Sequence, residues 1–317
     1  MMVLVVLLAG LLFPGFGQAV AGRTAWAIAW AIAVPLLHGL AVVVSPWCFF
    51  ASFGARIVGA FHGGWSLGGS AKLDWFSPLP LAIPVFAIGA FAVLRVSVVQ
   101  GFAVPTNSMV PTLDVSDRVF ATNRGDVDRG DIVFFHNPCN PQEEFVKRII
   151  ARGGDTVEVR CALVYVNGTA IAASPVPGPC TWRNVPCSEY REDYRGHHYS
   201  VYGDPERAAR TAHGEADRRD FPRLDLNLAP SCSSRSVEPD AGAIVDVMPT
   251  APSACAQQRH YLVPQGAFFM MGDNRLVSND SRVWGAVPKD AIIGRAVSIW
   301  LASGPDGYDW SRVRMLR

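Results

Sequence analysis

The chain has 317 residues, enough for a membrane section and one soluble domain of ordinary size. Half of it is hydrophobic and its mean hydropathy is +0.20, high for a wholly soluble protein. The formal charge of +1 gives no basic footprint for nucleic acid and no pull toward an acidic partner.

Three apolar runs come first, at residues 1–21, 25–44 and 79–99, interrupted by Pro14 in the first and Arg95 in the third. Each is close to the roughly 20 residues that cross a bilayer, so the sequence predicts transmembrane helices at about 2–21, 25–44 and 79–99. Ala19-Val20-Ala21 looks like a signal-peptide cleavage site but has no positive n-region before it, so retention or removal of the first span stays open. Arg56 and Lys72 lie between the second and third spans and assign that loop to the cytoplasm, which puts everything after residue 100 outside. Gly64-Trp65-Ser66-Leu67-Gly68 fits a nucleophile elbow, but without a preceding strand and a following helix it reads as a linker.

From residue 100 to 173 the pattern changes to short strands rich in β-branched and aromatic residues: 118–121, 131–135, 144–150 and 156–166. Asn167-Gly168, between Val164-Tyr165-Val166 and Thr169-Ala170-Ile171, is a hairpin signal. Residues 174–258 are rich in Pro, Ser, Arg and Asp with little apolar periodicity, and read as a large insertion, part loop and part disordered. Strands return at 260–263, 267–271 and 291–301. The fold class is therefore mainly β: an extracytoplasmic all-β catalytic domain over 100–173 and 259–317, split by the 174–258 insertion and anchored by about three transmembrane helices within 1–99. Cys139, Cys161, Cys180, Cys187, Cys232 and Cys255 lie in that outer part without zinc spacing. They are either buried thiols or disulfides in an oxidising compartment, and Cys180 with Cys187 is the first pair to test.

Two residues carry the chemistry. Ser108 sits between Pro105 and Pro111, in a backbone stiff enough to hold a hydroxyl in place. Its own N–H and the Thr106 hydroxyl are candidate oxyanion donors. Lys147 sits in the apolar strand Phe145-Val146-Lys147-Arg148-Ile149-Ile150, with Phe145 and Ile149 on its face. Such surroundings disfavour the ammonium, and a lysine so placed can act as a general base toward serine. Lysine is scarce here: Lys72, Lys147 and Lys289 are the full set. A third segment, Met271 to Gly285, is dense in charges and hydroxyls and could orient the amine. His136, His197, His198, His213 and His260 offer a conventional base but lie in no triad context.

Taken in order, Ser108-Met109-Val110-Pro111-Thr112, Arg129-Gly130-Asp131-Ile132-Val133, Lys147-Arg148-Ile149-Ile150 and Gly272-Asp273-Asn274-Arg275 through Ser278, Asp280-Ser281-Arg282 and Trp284-Gly285 resemble the sequence boxes of bacterial type I signal peptidases. The resemblance covers most of 104–166 and 266–301. Asn107 and Ala151 depart from it, where glycine is common, and 174–258 has no counterpart. It implies a membrane-bound serine endopeptidase that cleaves signal peptides from exported preproteins. Ser108 would be the nucleophile, Lys147 the base, Thr106 and the Ser108 amide the oxyanion hole, and Ser278 the hydrogen-bond partner of the lysine. Asp273 with Arg148, and Asp280 with Arg282, would be structural ion pairs. Val104, Met109, Leu113, Phe145 and Val146 would line pockets for small residues at the cleavage site. The implied partners are preproteins and the lipid bilayer, with no cofactor, no metal and no nucleic acid. The implied location is the bacterial inner membrane, multi-pass, with the catalytic domain on the periplasmic side. A dedicated pilin or conjugation peptidase, a self-cleaving repressor and a catalytically dead interaction module are the rivals. The spans speak against the repressor, and the intact Ser108, Lys147 and Ser278 against the dead module.

Overall fold

The computed structural model describes residues 2–21, 23–43, 45–66, 82–86, 88–89, 100–182, 185–206, 213, 219–223, 232, 242–249, 255–304 and 307–316. The chain divides into two compact units. The first takes in residues 1–102, 118–123 and 297–316; the second takes in 103–117 and 124–296.

In the first unit the apolar N-terminal sequence forms α1 (Met2–Leu12), α2 (Phe16–Val20), α3 (Thr24–Val43) and α4 (Trp47–Ser66). The first expected span is thus two helices. Pro14 cannot donate to a helix ladder, and Gly15 takes a left-handed φ of 95° that admits glycine at low cost. α4 occupies sequence that read as a linker, including the start of the Gly64–Gly68 motif. Its Gly and Ser residues and Arg56 interrupt the apolar run, so it does not read as a span. Gln18, fully buried, donates to the Gly59 carbonyl at 2.7 Å and ties α2 to α4. The third expected span is described only as a helical piece at 82–86 and 88–89; the remainder of it, and Lys72, lie outside the described residues. No helix among the described residues is long and apolar enough to cross a membrane, so the three-span anchor is not supported. This unit also carries an aromatic cluster in which Phe49 meets Phe120 and Trp300 at centroid distances of 5.4 and 5.0 Å.

The second unit is built of strands. In chain order the strands of the molecule are β1 (Gln100–Ala103), β2 (Arg118–Thr122), β3 (Ile132–Asn137), β4 (Asn140–Arg152), β5 (Thr156–Arg160), β6 (Leu163–Val166), β7 (Thr169–Ala170) and β8 (Ala172–Pro175). They continue with β9 (Cys180–Trp182), β10 (Val185–Tyr194), β11 (His197–Gly203), β12 (Ala243–Asp246), β13 (Arg259–Leu262), β14 (Ala267–Met271), β15 (Val287–Pro288) and β16 (Ile292–Leu301). A single helical turn, α5 (Ser281–Trp284), precedes β15. Within this unit β16, β3, β4, β14 and β15 are neighbours in that order.

The central strand β14 is buried on both faces, and its alternation feeds two cores. Phe268 and Met270 join Val133, Phe135, Ile149, Trp284 and Val287. Ala267, Phe269 and Met271 join Ile150, Val157, Val159, Val164, Tyr261 and Val263. The sheet of β12, β13, β5, β6 and β7 supplies the second of these cores. Being held on two sides makes β14 rigid, and it ends at the loop that begins with Gly272.

The insertion departs from the sequence reading. Among its described residues it holds β8 to β12, with β10 pairing β11 over Ser188–Tyr194 and His197–Gly203. The apolar signal was weak because this ribbon buries one narrow face, Tyr190 with Tyr199 and Val201, and shares it with the carboxylate of Glu192. Disulfides join Cys139 to Cys232, Cys161 to Cys255 and Cys180 to Cys187. The first two tie the insertion and its end to β3–β4 and β5–β6. Cys48 is a free thiol.

Candidate active site

The serine lies on a 3-10 turn, Asn107–Met109, entered through Thr106 in extended conformation. The turn is anchored by buried Met109 and Leu113 below and by the 271–285 loop beside it. The Asn274 N–H donates to the Ser108 carbonyl at 3.0 Å, and Asn274 Nδ2 donates to the Asn107 carbonyl at 3.3 Å. Lys147 comes from the middle of β4, paired with Val133 of β3. Its Nζ lies 2.6 Å from Ser108 Oγ and donates to the Val146 carbonyl at 2.9 Å. Thr106 Oγ1 is 3.0 Å from the same Ser108 oxygen.

The amine is 3% exposed. Burial pulls its pKa down to about 8; Asp280 and Asp273 act in the opposite direction, and Arg282 adds to the lowering. At that value roughly a tenth of the amine is uncharged at pH 7 and half at pH 8. A neutral amine within hydrogen-bond distance of a hydroxyl can accept its proton.

Two buried ion pairs frame the dyad. Arg148 forks onto Asp273, Nε to Oδ1 at 2.8 Å and Nη2 to Oδ2 at 2.6 Å, and its Nη1 donates to the Gly130 carbonyl. Arg282 forks onto Asp280 at 2.8 and 2.9 Å. Arg282 is the main partner that offsets burial and keeps the Asp280 carboxyl below the usual range. Asp280 also accepts the Gly272 N–H at 3.1 Å and caps α5. Gly272 is the tightest point of the site. β14 pairs with β4 at Met271 and Arg148, so the next residue on each strand brings Gly272 beside Lys147. A Cβ at Gly272 would overlap Ser278 Oγ and the Ser108 carbonyl, and would lie 2.6 Å from Ser278 Cβ. Only a glycine fits that approach.

This arrangement, a hydroxyl, a buried amine and a second hydroxyl in a cleft, agrees with the comparisons. The family model for signal peptidase, peptidase S26, matches residues 79–301.

The chain belongs to the signal peptidase family, peptidase S26.

Signal peptidase I of Aquifex aeolicus strain VF5 is 31% identical over 214 residues, 65% of this chain and 77% of that protein. The signal peptidase I of Pseudomonas aeruginosa is 29% identical over 242 residues, 68% of each chain. That of Pseudomonas fluorescens is 25% identical over 288 residues, 80% of this chain and 84% of that one. A crystal structure of a signal peptidase I from Enterococcus faecalis V583 aligns at 22% identity and a TM-score of 0.28, covering 54% of this chain and 97% of that one. Membership makes the chain a signal peptidase: a serine endopeptidase that cleaves signal peptides.

The cleft of this signal peptidase encloses about 310 Å³ and is lined by Pro105, Thr106, Asn107, Ser108, Glu144, Phe145, Val146, Lys147, Val277 and Asn279. Of the five residues that the resemblance places near substrate pockets, Phe145 and Val146 line the cleft, and Val104, Met109 and Leu113 lie in the loop that carries the serine. These three are almost fully buried, because the Pro-bracketed loop turns its apolar side chains under itself to hold the serine up. Ser278 Oγ is buried and makes no hydrogen bond to Lys147; it lies against Asp280, whose carboxyl it helps hold below the usual range. The amine's bonds run to Ser108 and Val146 instead. Asn274 and Arg275 stand in the last sequence box without a role, and nothing in the sequence singles out Glu144 for the site; no pattern in a single sequence marks which side chains of a polar loop turn inward.

Proposed function

We propose that the signal peptidase works through a Ser108–Lys147 dyad. Uncharged Lys147 takes the Ser108 proton as Oγ attacks the scissile carbonyl. The Ser108 N–H and the Thr106 hydroxyl donate to the oxyanion of the tetrahedral intermediate. The Lys147 ammonium returns its proton to the leaving amine, which leaves an acyl ester on Ser108. Lys147 then deprotonates a water whose oxygen attacks the ester carbonyl; the bond to Ser108 Oγ breaks, Oγ takes the proton back from the Lys147 ammonium, and the acid product is released. Ser278 enters once the amine is charged: an ammonium has a third N–H to place, and Ser278 Oγ, which lies beside Gly272, is proposed as its acceptor. The separation of 2.6 Å between Lys147 Nζ and Ser108 Oγ carries this reading.

The substrate reading is an extended peptide with small residues at the cleavage site. Phe145 and Val146 in the cleft lining support it. The N-terminal helices are proposed to hold the enzyme at a bilayer, supported by outward-facing Leu8, Leu12, Trp26, Ile32, Leu36, Ile57, Phe61 and Trp65. The three disulfides support an oxidising, extracytoplasmic setting for the second unit. The test is preprotein cleavage by the full chain in detergent: Ser108→Ala and Lys147→Ala each abolish it, and normal cleavage by either variant rejects the dyad.

A further inference from the structure

We propose that Glu192, on the inserted ribbon, is a positioning residue for the reaction: through Arg275 it holds Gly272, and with Gly272 the approach of Lys147 to Ser108. The proposal rests on the dyad put forward above and gives part of the insertion a role.

The contact path is short. Arg275 Nη1 and Nη2 donate to Glu192 Oε1 and Oε2 at 3.0 and 2.7 Å, a two-point fork with Glu192 buried and Arg275 largely so. The third guanidinium nitrogen, Nε, donates to the Gly272 carbonyl at 3.0 Å. The Gly272 N–H is already held by Asp280. Gly272 is therefore gripped at both of its backbone polar groups, and one grip comes from an arginine whose orientation Glu192 sets. The Arg275 carbonyl in turn accepts from Arg282, the partner of Asp280, at 3.3 and 3.4 Å. Arg275, Gly272, Asp280 and Arg282 thus form a closed ring of bonds, and Glu192 holds that ring from outside through the Arg275 fork.

The ribbon reinforces this grip from its backbone and from the opposite strand. The Tyr202 N–H donates to the Asp273 carbonyl at 2.9 Å, and the Tyr202 carbonyl accepts the Arg275 N–H at 2.9 Å. Tyr199, the cross-strand partner of Glu192, lays its ring 3.6 Å from the Arg148 guanidinium carbon. The ribbon thus touches both arginines that flank Asp273. Gly272 has no side chain to lock it, so its place depends on these outside bonds. If the fork opens, Gly272 can withdraw from Ser278 and Ser108, and water can reach the amine.

The test titrates the amine directly in full-length protein in detergent, labelled with 13C at lysine Cε. Lys72, Lys147 and Lys289 are the only lysines, so three signals are expected, and Lys147→Met assigns one. In Glu192→Gln the Lys147 midpoint rises by at least half a pH unit, kcat falls about tenfold and KM stays within twofold. Glu192→Asp, which keeps the charge, recovers part of both. Arg275→Lys keeps the buried charges balanced but cannot bond the carboxylate and the Gly272 carbonyl together; it gives the same rise and stands in if Glu192→Gln does not fold. Asp193→Asn, exposed on the other face of the ribbon, keeps the parent values. An unchanged midpoint in the folded variants overturns the proposal, as does a fall in kcat matched only by loss of folded protein. The titration needs no turnover. Failure of the dyad shows separately, as a parent enzyme without cleavage or an active Ser108→Ala.

Discussion

Replacing Lys147 by methionine destroys the proposed base and, on this account, stabilises the protein. The unfolded lysine titrates at 10.5 and the folded one at about 8, because burial penalises the charge. Below pH 8 both states carry the proton and the full penalty is present; it shrinks as pH rises between the two values and is gone above 10.5. Linkage makes the penalty about 3 kcal/mol at pH 7 and about 1.5 kcal/mol at pH 9.5. Methionine has similar length and no charge to bury, but it forfeits the bonds to Ser108 and Val146, about 1 kcal/mol each and partly recovered by repacking. The net gain is about 1–2 kcal/mol at pH 7 and vanishes near pH 9.5. Thermal unfolding of parent and Lys147→Met, followed by tryptophan fluorescence at the two pH values, reads this out. The narrowing of the gap with rising pH is the firm signature. A variant that is no more stable at pH 7, with a gap that does not move with pH, would refute the idea that folding strains against a buried charge here.

Three further outcomes follow from other parts of the site. Gly272→Ala pushes a methyl against the Ser108 carbonyl and Ser278. Displacement of the dyad by about 1 Å costs about 100-fold in kcat with KM little changed, and near-parent steady-state kinetics would show that the loop yields. Thr106→Val removes one proposed oxyanion donor and lowers kcat by about 10²–10³, measured on a peptide substrate with folding checked by circular dichroism; an unchanged kcat would leave the hole to other donors. Opening the Cys161–Cys255 disulfide by a double serine substitution releases a separation of 94 residues. The chain-entropy model gives about 4–5 kcal/mol for such a loop, read as a lowered midpoint in urea, and an unmoved midpoint would make that link incidental.

How far the sequence could be read depended on the physics of each part. The strands around Lys147 and β14 were legible, because two-sided burial writes dense β-branched and aromatic runs such as Phe145 to Ile150 and Ala267 to Met271. Ser108 and Lys147 stood out because proline brackets and a lysine in an apolar strand are unusual locally. The ribbon of β10 and β11 was not legible: its buried face includes Glu192 and tyrosines, so its period is hidden under polar residues. Which apolar side chains of the serine loop turn inward was not legible, because a tight turn decides it: Val104, Met109 and Leu113 are buried beneath the serine. α4 was missed because glycines dilute its pattern, although Trp47 to Ser66 forms a regular helix. Disulfide partners such as Cys139 and Cys232, 93 residues apart, follow from tertiary structure alone.

The pH dependence of kcat/KM for the full-length signal peptidase bears most directly on the central claim. If buried Lys147 is the base, activity rises with pH through a single ionisation near 8, and Ser108→Ala is inactive throughout. A rise centred near 6.5, the ordinary histidine range, that persists in Lys147→Met would contradict the account and move the search for the base elsewhere.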